Sequence, residues 1–233
     1  MIDVGIGNEE NRIAWVRGAL QKIPQGSRIL DAGAGERKYE RYCSHLDYVA
    51  QDFAQYDGKG DGAGLQAGSW DQTRIDIVSD ITSIPEPDGS FDALMCIEVL
   101  EHLPNPGNAI AEFARLIKPG GHLILTAPFC SLTHQAPFHF YSGFNRYFYS
   151  RLLADAGFSI EDLQENGNFF HYLGQEVRRV PGVVRKYCGG KATIRERFII
   201  RLMLRALQRF ADMDKGSEEL LCFGYHVYAR KRR

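Results

Sequence analysis

The spacing of apolar residues changes along this chain, and the changes mark its elements. Ile13, Val16, Leu20 and Ile23 fall three or four residues apart, which predicts a leading helix over 11–23 that Pro24 and Gly26 stop. Short apolar runs follow at 28–30, 48–50, 75–78, 91–97 and 123–126, and several do not alternate in polarity. Runs of that kind suit strands covered on both faces, and the helical stretches between them predict an α/β fold with a parallel sheet. Asn105-Pro106 reads as a helix start and Lys118-Pro-Gly-Gly121 as its end and the turn into the next strand. A further helix is expected from about 147 to 156, closed by Gly157.

Two segments break the alternation. From 55 to 73 the glycines at 58, 60, 62, 64 and 68 predict an irregular loop instead of a crossover helix. From about 169 to 216 the chain reads as a basic helical insert, with a helical stretch over 193–210, before a last strand at 220–229. The expectation is a single domain over 1–233, with its core at about 24–166 and 218–230.

Composition narrows the partners. With 28 basic and 29 acidic residues and a formal charge of −1, bulk electrostatics offer no argument for nucleic-acid binding. Five scattered cysteines lack the close pairs of metal sites or redox dithiols, and the histidines do not cluster along the chain with carboxylates at a ligand spacing, so no metal is expected. Asp3, Glu9 and Glu10 stand where a signal peptide would carry positive charge, and no apolar run is long enough to cross a bilayer, so a reducing, cytoplasmic setting is expected.

The candidate chemistry lies at strand ends. Arg28-Ile-Leu-Asp-Ala-Gly-Ala-Gly-Glu36 runs from a strand into a glycine turn ahead of a helix, where Gly33 and Gly35 let backbone approach a ligand closely. A tight turn with no ligand stays open for this motif alone. Asp52 ends the second run 19 positions after Gly33, the interval of a ribose-binding acid, though a solvated aspartate would look the same. Asp80 ends the third run and is followed by apolar Ile81, a pairing suited to an adenine amino group and ring. Three acids at successive strand ends point to one rim of the sheet, where open α/β sheets bind ligands.

The runs Leu30-Asp-Ala-Gly-Ala-Gly35, Phe91-Asp-Ala-Leu-Met-Cys-Ile-Glu-Val-Leu-Glu-His102 and Leu116-Ile-Lys-Pro-Gly-Gly-His-Leu-Ile-Leu-Thr-Ala-Pro128 resemble the class I S-adenosylmethionine-dependent methyltransferases, most closely the type 11 branch. The resemblance covers roughly 28–160. It implies a Rossmann-like, seven-stranded, mostly parallel sheet with helices on both faces and an antiparallel last strand. It also implies a donor site in which Asp31, Gly33, Ala34 and Gly35 border the methionine portion of S-adenosylmethionine, Asp52 takes the ribose, Asp80 and Ile81 take the adenine, and Glu98 lies beside the donor; the product would be S-adenosylhomocysteine. Many members carry a third glycine where this chain has Glu36, so the shape of the turn is where it departs.

On the acceptor side, the segment 128–141 after the fifth strand holds His134, His139 and Tyr141 in an aromatic setting suited to orienting or deprotonating a hydroxyl; rings that merely pack and cap a pocket are the alternative. His102 ranks second, as a structural hydrogen-bonding residue or a catalytic one. The expected acceptor is a small molecule, with a lean toward a saccharide, methylated on oxygen or nitrogen. Arg197, Arg201, Arg205 and Arg209 recur every fourth residue beside Phe198, Ile199, Leu202, Met203, Ala206 and Phe210. That helix is either packed on the domain with a solvated arginine edge, which is favoured, or a surface over 193–210 for an anionic acceptor or acidic lipid. The pattern leaves the oligomeric state open. Two other function classes share the glycine turn: a nicotinamide-dependent oxidoreductase, disfavoured by Lys38 at the third glycine position and by the lack of a Tyr-x-x-x-Lys pair, and a non-catalytic module that keeps the pocket.

Overall fold

A computed structural model describes residues 2–233. Seven strands, β1 (Arg28–Ala32), β2 (Asp47–Asp52), β3 (Ile77–Val78), β4 (Phe91–Ile97), β5 (Ile117–Pro128), β6 (Phe158–Asn166) and β7 (Gly224–Lys231), form one sheet in the order β3-β2-β1-β4-β5-β7-β6. β1 runs parallel to β2 and β4, β2 to β3 and β4 to β5, while β7 pairs antiparallel with β5. The expected sheet and its antiparallel last strand are therefore present. Strand order reverses between β1 and β4, so the connections leaving these two strands diverge to opposite sides and open a crevice at their carboxyl ends.

Consecutive residues Ile29 and Leu30 of β1, Leu94 and Met95 of β4, and Ile124 and Leu125 of β5 are wholly buried. Neighbouring residues of a strand face opposite ways, so both faces of the central sheet are covered, which is why these strands read as unbroken apolar runs. Covering helices include α1 (Asn8–Leu20), α2 (Pro106–Leu116) and α3 (Arg146–Asp155). α2 buries Ala109, Ile110, Phe113 and Leu116, one helical face. The Asn105 side chain makes no capping hydrogen bond, contrary to expectation, so Pro106 carries the start of α2 by its fixed φ. Asn145 does cap α3, accepting from the amides of Tyr147 and Phe148.

The chain divides into two compact units, one built from the segment up to Ile13 with Glu165–Phe223, the other from Ala14–Gln164 with Gly224–Arg233. In the first, α4 (Phe169–Tyr187) and α5 (Ile194–Met213) lie together. α4 lies within the stretch expected to be a helical insert, but its bounds were not predicted because Gly174, Pro181 and Gly182 interrupt its pattern. Gly174 has a packing reason: a Cβ there would stand 2.9 Å from a Val4 methyl and 3.1 Å from the Val4 carbonyl carbon. α5 starts on a capping box between Thr193 and Glu196. Val4, Leu204 and Leu207 form the core of this unit, with Ile200 and Ala211 packed beside them. Phe198, Ile199, Leu202, Met203 and Phe210 remain exposed, so most of the apolar residues expected to pack α5 down do not. Among the described residues no helix is long and apolar enough to cross a membrane.

Candidate functional site

The crevice residues all belong to the larger unit. Asp31, next to last in β1, is 2 % exposed and accepts a 2.6 Å hydrogen bond from the Tyr48 hydroxyl. Burial pushes its carboxyl up to about 7 against the pull of Tyr48, and the neighbouring Asp52 charge adds to the rise. Gly33 and Gly35 both have positive φ, +77° and +52°. A Cβ on Gly33 would lie 2.6 Å from Val99 Cγ2, and one on Gly35 the same distance from Trp70 Cζ2, so both positions combine a left-handed backbone with close approach.

Asp52 closes β2 and is the hub of this turn. Its Oδ2 accepts from the Gly35 amide at 2.9 Å; its Oδ1 accepts from the Ala54 amide and from Gln72 Nε2, each at 2.9 Å. Gln51, wholly buried beside it, takes the Gly33 and Ala34 amides on its backbone oxygen and donates its side-chain amide to Ser79 O at 2.8 Å, tying the ends of β1, β2 and β3 together. Ile81 is buried as its neighbour Asp80 turns outward, the Asp80 Oδ1 accepting from the Thr82 amide and hydroxyl. Glu98, just past β4, holds the left-handed conformation at φ +57° without being glycine, and its Oε1 accepts from the Thr126 hydroxyl at 2.8 Å. A backbone of that kind costs of order 1–3 kcal/mol and concentrates where position matters.

The glycine-rich segment expected to be irregular is so, but it is tightly held. Leu65 pairs with His134 through Leu65 N to Thr133 O and Gln135 N to Leu65 O. Gly60 and Gly64 run so close to the carbonyls of Ala136 and Thr133 that no side chain fits at either. The segment thereby links the glycine turn after β1, through Trp70 and Gln72, to the loop after β5.

That loop meets a single 3-10 turn, Leu100–His102. The Glu101 carbonyl accepts from the amides of Phe140 and Tyr141 at 3.0 and 3.1 Å, which brings the three candidate histidines together. Ring centroids stand 4.7 Å apart for His102 and His134, 4.7 Å for His134 and His139, and 6.0 Å for His102 and His139. Burial holds His102 down at about 4, and burial also lowers His139, with His134 beside both. His139 Nε2 pairs with Ser131 Oγ at 3.1 Å. Glu101, 1 % exposed, lies under His102 and His134, with Oε1 at 3.7 and 3.9 Å from their Nε2 atoms. No ligand spacing along the chain announces this group, because the fold brings His134 from the loop after β5 to the adjacent pair Glu101 and His102.

Sequence reasoning missed Tyr48, Gln51, Trp70, Gln72 and Glu101. Tyr48, Gln51 and Glu101 lie inside motifs that were singled out, but Trp70 and Gln72 sit in a segment whose composition signals only irregularity.

Residues 9–163 match the family model described as a methyltransferase domain. A ubiquinone biosynthesis O-methyltransferase of Xanthomonas axonopodis pv. citri is 36% identical over 118 residues, 49% of this chain and 48% of that protein. A demethylmenaquinone methyltransferase of Renibacterium salmoninarum is 31% identical over 166 residues, 70% of this chain and 63% of that one. The matched stretch therefore spans about half the length of the first relative and less than two thirds of the second. Among solved structures, a SAM-dependent methyltransferase from Archaeoglobus fulgidus superposes with a TM-score of 0.56 at 15% identity, covering 98% of this chain and 97% of that one, a likeness of fold.

Proposed function

The chain belongs to the methyltransferase-domain family, and from that premise we propose that the crevice at the ends of β1–β4 holds S-adenosylmethionine and that its methyl group passes to an oxygen of a small-molecule acceptor. The observation that carries this reading is the state of Asp52. A carboxylate offers about four lone-pair sites, and three of those on Asp52 are taken by Gly35, Ala54 and Gln72. Release of the single side-chain partner, Gln72, leaves two sites for the two hydroxyls of a ribose while the glycine turn keeps its anchor. Asp31 and Glu98 would face the amino acid end of the donor, where carboxylates favour its ammonium and sulfonium charges, and Ile81 and Asp80 the adenine. Methyl transfer is an in-line displacement, so the chain's part is to align the acceptor oxygen with the methyl group and exclude water.

The acceptor we infer carries a hydroxyl on an aromatic ring. The names of the quinone-biosynthesis relatives move the choice to this class from the saccharide suggested by the loop alone. In support, Phe53 and Phe138 meet edge to face with centroids 5.0 Å apart beside the histidines, which suits a flat ring. His102, His134 and His139 would border the hydroxyl, and its proton would leave to an imidazole nitrogen of His139. Incubation with methyl-labelled S-adenosylmethionine and matched panels of catechols, phenols and saccharides tests both parts. Label in an aromatic ether supports the reading; label confined to saccharides overturns the acceptor, and no transfer together with no S-adenosylhomocysteine binding overturns the function.

A second reading concerns α5. Exposed Phe198, Ile199 and Leu202 stand among exposed Arg197, Arg201, Arg205 and Arg209, a pairing of apolar and cationic groups that suits an anionic bilayer surface. Co-sedimentation with vesicles containing phosphatidylglycerol, lost in high salt and in F198E/L202E, supports it. Equal recovery of parent and variant with those vesicles overturns it.

A further inference from the structure

We infer that Glu101, His102 and His134 form a binding site for one divalent transition-metal ion of the zinc class. One ligand atom from each of the three lies within 4.8 Å of the others. The two rings are set for it by their far nitrogens: His102 Nδ1 pairs with Phe138 O at 2.6 Å and His134 Nδ1 with Leu132 O at 2.9 Å. A metal-binding histidine is normally held in this way, one nitrogen on a carbonyl that fixes ring orientation and tautomer, the other left for the ion. Both remaining Nε2 atoms turn toward the same carboxylate oxygen, Glu101 Oε1, at 3.7 and 3.9 Å. Those separations exceed a hydrogen bond, so no shared proton accounts for the convergence. These two stand close to the edge of a tetrahedral zinc site, about 3.4 Å for bonds of about 2.0 to 2.1 Å, and the third separation falls within 4.8 Å, so side-chain movements of up to about an ångström close the set.

The donor types select the ion. Two imidazoles and one carboxylate suit zinc and its neighbours, whereas magnesium and calcium prefer an all-oxygen shell. Three protein ligands also leave a coordination position open, the mark of a site that takes a further oxygen. Access is graded the same way: the Glu101 side chain is 1 % exposed, His102 12 % and His134 25 %, so the set opens on the side of the loop after β5. The backbone bonds from Phe140 and Tyr141 to Glu101 O hold turn and loop in register before any ion arrives. His139 borders the set, with its Nε2 on Ser131, and stays outside it. An ion here would act as a Lewis acid toward a hydroxyl or phosphate oxygen.

The site rests on its own geometry, and its test is separable from methyl transfer. The untagged protein carrying Cys130→Ser and Cys188→Ser, which removes the two exposed thiols, is stripped with chelator and titrated with zinc by calorimetry; cobalt(II) then serves as a visible-absorption probe. One zinc per chain is expected, with Glu101→Gln and His134→Ala each weakening it by at least about tenfold and changing the cobalt spectrum. Circular dichroism checks that each variant is folded, and His134→Ala, on the partly exposed loop, keeps the test available should Glu101→Gln not fold. Substoichiometric binding in the parent, or zinc affinity and cobalt spectrum unchanged in the folded variants, overturns the site. Titration of the same samples with S-adenosylhomocysteine distinguishes failure of the metal site from failure of the donor site.

Discussion

Asp31 carries a prediction about pH that follows from its burial. In the folded chain its carboxyl stands at about 7, against an ordinary value of 3.8. Between those values the native state binds more protons than the unfolded one, so its stability falls as pH rises through the window. Below about 3.8 both states are protonated and nothing is lost; above about 7 the loss is complete. A rise from 3.8 to about 7 corresponds to roughly 4 kcal/mol at about 1.4 kcal/mol per pH unit, a large share of the stability of a single domain. Asp31→Asn keeps an acceptor for the Tyr48 hydroxyl and removes the titration. Urea unfolding of the ligand-free parent and variant at half-unit steps from pH 4.5 to 8 isolates the difference, because every other group titrates in both. The variant is expected to gain on the parent steadily as pH rises and to level off near neutrality. Parallel profiles would refute the claim that this carboxylate is buried without adequate compensation.

Three more outcomes follow from the geometry. Gly33→Ala combines a left-handed alanine with a clash against Val99 and should destabilise by about 2–4 kcal/mol in urea unfolding, and Val99→Ala should recover part of that loss; no effect of Gly33→Ala would show that the turn is not packed as described. Gln72→Ala removes the partner that competes for Asp52 and should tighten S-adenosylhomocysteine binding by up to about tenfold in calorimetry, whereas clear weakening would make Gln72 a ligand-binding residue. Thr193→Ala breaks the capping box of α5 and should cost about 1 kcal/mol, read as a lower unfolding midpoint with the slope unchanged.

The sheet was legible because its central strands are buried on both faces, which leaves unbroken apolar runs such as Phe91–Ile97, predicted to the residue. The placement of three acids was legible for a related reason: in a parallel sheet the same end of every strand faces the same rim, which puts Asp31, Asp52 and Asp80 along one edge of it. The bounds of α4 inside the expected helical insert were not, since Pro181 and Gly182 read as breakers while Gly174 answers to contact with a distant segment. Trp70 and Gln72 were hidden by a loop whose glycines serve close approach to the 133–136 backbone, an arrangement that leaves no period in the sequence. The cluster of Glu101 with the histidines was invisible because the hydrogen bonds from Phe140 and Tyr141 to Glu101 O, which make it, join segments almost forty residues apart.

The central claim is that backbone and carboxylates from separate strand ends enclose one adenosyl sulfonium, with Asp52 on its ribose. Calorimetric titration of S-adenosylhomocysteine into the parent and into Asp52→Ala tests it most directly. One site per chain in the parent and a loss of about 1–3 kcal/mol in the variant is the predicted result. Equal binding by both proteins, or none by a folded parent, would contradict it.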